Sequence, residues 1–175
     1  MTKLFSIIIL LLFASYLTVH AQQSVKVIPE PASLIKGSGS FELPKEIRIS
    51  APASKELSPT IQFLQQKLST ATGYTASTTT DIKQANILLE LVPGNQLGGE
   101  GYTLSVNSTK ILIKANKPAG LFYGVQSLLQ LLPPAIESKQ PVENVKWEIP
   151  VVEIKDQPKL NWRGLMLDVS RHFLQ

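Results

Sequence analysis

The sequence predicts an α+β domain in which one sheet carries two helices on one face. Three observations point there. Short runs alternate apolar and polar residues, most clearly a hairpin with Tyr102, Leu104 and Val106 on one strand and Ile111, Ile113 and Ala115 on the other. Two longer segments, beginning near Ser58 and Pro118, repeat apolar residues at intervals of three and four. With 43% hydrophobic and 17% charged residues, the 175-residue chain can bury a core, and its length allows one domain, or one domain and the beginning of another. Strand and helix segments alternate along the chain, as this layered architecture requires.

The elements follow in order. Lys3, the apolar stretch Leu4 to Leu17 and Val19-His20-Ala21 read as a signal peptide over residues 1–21, cleaved after Ala21. The apolar run is short for a stable membrane span, so the expectation is export, to the periplasm or outside the cell. Residues 22–43 read as an extended opening segment with turns, given Pro29, Pro31 and Gly37-Ser38-Gly39. Glu46 to Ser50 reads as a strand with Ile47 and Ile49 on one face. Ser58 suits an N-cap and Pro59 the first helical position; Ile61, Leu64, Leu68 and Ala71 form the apolar stripe, and Gly73 stops the helix. Thr75 to Asp81 reads as a polar connector to a strand from Asn86 to Leu91, and residues 93–101 as a glycine-rich loop before the hairpin.

The second helix starts near Pro118, buries Leu121, Val125, Leu128, Leu129 and Leu132, and ends at Pro133-Pro134. Gly120 and Gly124, four residues apart, share one side of it and permit close approach of another backbone. Trp147 to Ile154 reads as a strand that Pro150 pushes to a sheet edge. Asp156-Gln157-Pro158 reads as a linker, and Arg163 to Val169 as a short buried strand.

Several chemistries are excluded by composition or geometry. The chain has no cysteine, which removes disulfides, thiolate zinc sites and thiol catalysis. Its histidines are His20 and His172, and the first leaves with the signal peptide, so no metal site is expected. The net charge of +4 comes from scattered lysines without a basic stripe, so no nucleic-acid partner is expected. Asp168, Ser170 and His172 have the residue types of a nucleophilic triad, but on a strand they would stand about 7 Å apart, too far for a serine–histidine hydrogen bond. Gly98-Gly99-Glu100-Gly101 lacks the lysine of a phosphate loop. Neither Glu42 with Glu46 nor Glu153 with Asp156 forms a convincing acid pair. Arg163 stands out, because a cation opening an apolar strand needs a partner. It either pairs with a carboxylate such as Asp156 or Asp168, or offers its donor fork to vicinal oxygens of a ligand.

Three groups of residues together resemble one family. They are Val27-Ile28-Pro29-Glu30-Pro31 with Gly39-Ser40-Phe41; Glu100-Gly101-Tyr102-Thr103-Leu104 with the helix from Ala119 to Leu132; and Trp162-Arg163-Gly164-Leu165-Met166-Leu167-Asp168-Val169-Ser170-Arg171-His172-Phe173. They are similar, in order and spacing, to the exported β-N-acetylhexosaminidases of glycoside hydrolase family twenty. The resemblance implies a non-catalytic α+β domain over residues 22–155, then, over 156–175, a linker and the first strand of an incomplete (β/α)8 barrel.

The activity implied is removal of terminal β-linked N-acetylglucosamine or N-acetylgalactosamine with retention, the substrate's own acetamido oxygen attacking the anomeric carbon. The glycans or chitooligosaccharides that carry these sugars are the implied partners, and no cofactor is implied. The resemblance gives Arg163 the role of binding sugar hydroxyls. The glutamic acid and aspartate of the reaction would lie beyond Gln175, so no catalytic residue is assigned within the chain. A barrel needs roughly 250 residues. The 175-residue polypeptide is therefore expected to be a truncated fragment, inactive by itself. The alternative is a truncated, exported accessory or glycan-binding module, for which no aromatic platform is evident if Trp147 and Trp162 are packed.

Overall fold

Seven strands form one mixed sheet in the computed structural model, which describes residues 25–94, 96–160 and 162–164. In chain order the elements are β1 (Ser33–Glu42), β2 (Glu46–Ser50), α1 (Ser58–Thr72), β3 (Thr75–Thr78), β4 (Ile87–Leu91), β5 (Tyr102–Val106), β6 (Ile111–Ala115), α2 (Pro118–Leu131), a 3-10 turn (Pro134–Glu137) and β7 (Glu148–Asp156). Across the sheet the order is β1-β7-β5-β6-β4-β2-β3. The β1, β7, β5 and β6 half is antiparallel, whereas β6, β4, β2 and β3 run parallel. The expected signal peptide lies outside the described residues, as do Asp168, Ser170 and His172. Of the strand expected from Arg163 to Val169, only Arg163 and Gly164 are described, and neither is in a strand.

The helices cover one face. On β5 and β6, Tyr102, Leu104, Val106, Ile111, Ile113 and Ala115 are buried, while the residues between them are half-exposed. Leu64, Leu68 and Ala71 of α1 and Leu121, Val125 and Leu128 of α2 close the core from the other side. The helices share that face, since Phe63 and Phe122 meet with ring centroids 6.1 Å apart. Gly73 ends α1 at φ 70°, its N–H bonded to the Ser69 carbonyl, as its position predicts. Ser58 is not the cap: Leu57 is, with no side-chain bond, and Ser58 begins the helix. The N–H groups of both Leu57 and Ser58 reach the Ser54 carbonyl, so a backbone turn does the work expected of the hydroxyl.

Three strand readings need correction. Residues 33–42 are extended as expected but form a full strand, not a segment broken by turns, and Thr75–Thr78 is an edge strand parallel to β2 rather than a connector. β7 is an interior strand, paired with β1 on one side and β5 on the other. Pro150 is accommodated because β5 pairing stops at Val152 and because β1 bulges between Lys36 and Ser40, opposite it. Gly37 belongs in that bulge: a Cβ there would stand 2.5 Å from Val151 Cγ1.

Candidate functional site

The strand ends carrying Tyr102, Ala115 and Asp156 are paired neighbours, so they lie at one end of the sheet. Three stretches of chain converge there: residues 27–30, the outer side of α2, and the segment leaving β7. Between them is a cavity of about 510 Å³. Gln130 of α2 fixes one wall, donating to the Ile28 carbonyl at 2.9 Å and accepting from the Ile28 N–H at 2.8 Å. Asp156 fixes another, accepting from the Ala32 N–H at 3.0 Å. The linker expected at Asp156-Gln157-Pro158 thus begins as the end of β7, and Gln157 and Pro158 line the cavity.

Tyr102 lies buried at the edge of this space, with its hydroxyl 2.5 Å from Ser127 Oγ. Burial pushes its phenol above the ordinary value of 10.0; the Ser127 hydrogen bond partly opposes this, and the Asp156 charge adds to it. A phenol raised in the folded state stabilises the fold fully below pH 10, and that contribution is lost as pH rises from there through the folded value. The urea midpoint is therefore expected to drop between pH 8 and pH 11. Tyr102→Phe should flatten that drop while lowering stability at pH 7 by about 1 kcal/mol, the worth of an ordinary hydrogen bond. An equally steep alkaline drop in the Phe chain would exclude Tyr102 as its source.

Arg163 reaches the same cavity. Its Nη1 donates to the Leu160 carbonyl at 2.6 Å and its Nη2 to Glu100 Oε2 at 2.9 Å. The Glu100 hydrogen bond, aided by Tyr123, holds the guanidinium above its already high usual pKa. The partner is thus Glu100, not Asp156, which is engaged by Ala32 and Tyr102; Asp168 lies outside the described residues. Arg163 is neither buried nor in a strand, its side chain being 42% exposed. Glu100 was not among the carboxylates expected to pair with Arg163, although it begins one of the quoted motifs. Trp147 is packed as expected, but Trp162 is 92% exposed. Among the described residues no cluster of histidine, aspartate or glutamate could hold a metal ion, and no helix is long and apolar enough to cross a membrane.

The loop bearing Glu100 is tightly held. Leu97 is buried, and the Asn116 side chain donates to the Gly98 carbonyl at 2.8 Å. A Cβ on Gly101 would lie 2.1 Å from the Leu97 carbonyl oxygen, so only glycine fits next to Glu100.

Comparison with known proteins gives this geometry a context. A β-hexosaminidase of Porphyromonas gingivalis is 34% identical over 154 residues, covering 87% of this chain and 20% of that protein. The Streptomyces plicatus N-acetyl-β-hexosaminidase, solved in complex with Thio-NAglucal, superposes with a TM-score of 0.77 at 39% identity, over 85% of this chain and 29% of its own. The exo-β-N-acetylglucosaminidase of Vibrio harveyi, solved in complex with N-acetylglucosamine, gives 0.68 at 25% identity, over 85% and 21%. The chain therefore spans between a fifth and a third of the length of these relatives. Residues 24–157 match the description "Glycosyl hydrolase family 20, domain 2". That match takes in every strand and helix of the sheet described above, and the chain belongs to glycosyl hydrolase family 20.

Proposed function

We propose that this chain is the N-terminal, non-catalytic part of a β-N-acetylhexosaminidase. The complete protein would release terminal β-linked N-acetylglucosamine or N-acetylgalactosamine from glycans with retention of configuration. The observation that carries this reading is the family match over nearly the whole described domain, joined to 34% identity with a β-hexosaminidase. In this reading residues 1–21 direct export, and residues 156–175 supply a linker and the first strand of a (β/α)8 barrel. The acetamido group of the substrate acts as nucleophile. The acid that protonates the leaving oxygen, and the aspartate that orients the acetamide, lie outside residues 1–175.

Arg163 is the residue of this chain assigned to the substrate. A planar guanidinium fork can donate to two adjacent sugar hydroxyls, an arrangement a lysine ammonium cannot reproduce. Each hydrogen bond from a charged group to a substrate hydroxyl stabilises binding by about 1.5–3 kcal/mol. In the full-length protein assayed with an aryl N-acetyl-β-glucosaminide, Arg163→Lys should thus lower kcat/KM about a hundredfold. The polypeptide of residues 1–175 should show no turnover above background. Full activity in the lysine variant would remove Arg163 from the site, and turnover by residues 1–175 would refute the division of labour.

A further inference from the structure

We propose that the outer edge of β3 is a self-association surface, where a second copy of this chain would add its own β3, and that Gln65 of α1 is the side chain that withholds it. The inference uses neither Arg163 nor the cavity beside it, so it stands apart from the function proposed above.

β3 ends the sheet, with β2 on one side of it and no strand on the other. Two hydrogen bonds show which way its backbone groups point. The Thr75 N–H donates to the Lys45 carbonyl at 3.0 Å, and the Thr79 N–H to the Ile49 carbonyl at 2.9 Å. Backbone groups alternate along a strand, so those of Ser77 also face β2, while those of Ala76 and Thr78 face outward. An outward row of this kind is a template for another strand. At its other edge the sheet is blunted by the β1 bulge between Lys36 and Ser40. β3 pairs with β2 without a register shift, and residues 74–80, Tyr-Thr-Ala-Ser-Thr-Thr-Thr, carry no charge. Its threonines suit an extended strand.

The strand that fits this edge is β3 itself. A two-fold axis through Ser77 would set Ala76 of each copy opposite Thr78 of the other, in antiparallel register. Each such pair presents outward groups and would exchange both of its N–H to carbonyl bonds. Thr75 would stand opposite Thr79 and Tyr74 opposite Thr80, so no like charges are brought together. One group stands in the way. Gln65 Nε2 donates to the Ala76 carbonyl at 3.1 Å. The Ala76 and Thr78 oxygens are the acceptors each copy would offer, and the amide already occupies the first. Half of the pairing bonds are thereby withheld, from a contact only a short strand long. Water can satisfy a carbonyl on an open strand edge, so the Gln65 bond is not needed to solvate this one. Its effect is on what else the oxygen can accept.

The test compares the solution mass of the wild-type chain, of Gln65→Ala, and of Gln65→Ala combined with Thr78→Lys. Sedimentation at about 0.1 mM protein suits so short a contact, which belongs to the weak class of interfaces. Gln65→Ala is expected to double the mass of the wild-type species, in proportion to concentration. Thr78→Lys should reverse the doubling, because a lysine on a strand edge opposes pairing. Amide hydrogen exchange gives a second reading that begins with the wild type. There the Ala76 and Thr78 N–H groups should exchange faster than that of Ser77, and in concentrated Gln65→Ala they should become protected. Equal protection of the three groups in wild type would overturn the inference, whatever the variants do. So would a Gln65→Ala chain of unchanged mass, or one whose added association survives Thr78→Lys. A Gln65→Ala effect confined to a lower melting temperature would make Gln65 a tether of β3 to α1, and the self-association surface would be wrong.

Discussion

Gly120→Val is expected to prevent the domain from reaching its native fold at 25 °C. A Cβ at this position of α2 would lie 2.3 Å from the Gly101 carbonyl oxygen and 2.8 Å from Ala115 Cβ. Neither neighbour can retreat cheaply. Ala115 is buried and pairs with both Tyr102 and Leu91, and Gly101 is itself pressed against Leu97. Overpacking a yielding core costs about 1–3 kcal/mol, and here the obstacle is backbone and the added side chain is branched. A total penalty of about 5 kcal/mol or more would consume the stability of a typical domain. Gly120→Ala isolates the clash. Helix propensity alone would favour alanine by about 1 kcal/mol, so a net loss of about 2 kcal/mol is the expected result. Urea denaturation of the alanine chain measures it, and stability equal to or above wild type would show that the close approach is absent. Because Gly101 adjoins Glu100, a folded Gly120→Ala chain should also disturb the Arg163 contact.

Ile113→Ala should destabilise the domain by about 3 kcal/mol, the middle of the range for emptying a buried isoleucine site. Ile113 is fully buried on β6, the central strand of the seven, beneath α2. It also faces a second glycine of that helix. A Cβ on Gly124 would meet Ile113 Cγ2 at 2.4 Å and Tyr102 Cδ2 at 3.2 Å. Gly124→Ala alone is thus expected to be destabilising despite its better propensity. Combined with Ile113→Ala, the offending methyl is gone and the new Cβ enters the space it left. The two losses should then fall short of additive by about 1 kcal/mol or more, as expected for residues in direct contact. Additive losses across a chemical-denaturation cycle would refute the contact.

The helix layer and the central strands were legible because their patterns are set by burial. Leu64 and Leu68 of α1, Leu121, Val125 and Leu128 of α2, and the alternating residues of β5 and β6 all face the core. The paired glycines of α2 were legible for a related reason, since four-residue spacing puts them on one side and there the sheet comes closest. The strands at both edges were not. In β1, Ser33–Glu42, Phe41 alone is fully buried, so pairing with β7 makes the strand without any periodic signal. β3 is a run of threonine, alanine and serine whose extended form comes from β2. Pro150 misled because an interior strand can have one open side for part of its length, a matter of where β5 ends.

Arg163 stood out in the sequence by its residue type, its place before an apolar run and its motif, and the structure puts it against the cavity. Its partner did not stand out. Glu100 lies 63 positions earlier, and no local spacing links the two. Trp162 illustrates the same limit, since exposure is decided by what surrounds a residue in space and not by the residue.

The register of β1 on β7 carries a temporal consequence. Ser33, on the first described strand, pairs with Lys155, on the last, and the bonds between these strands close a loop containing almost the whole domain. Such closure is entropically late, because the intervening chain must be ordered before contacts so distant in sequence repay the cost. The β5–β6 hairpin and α2, by contrast, are made from neighbours and can form as soon as they are synthesised. A nascent chain emerging from the ribosome therefore cannot complete its sheet until Asp156 has appeared. Until then β1 lacks the strand it pairs with, β7.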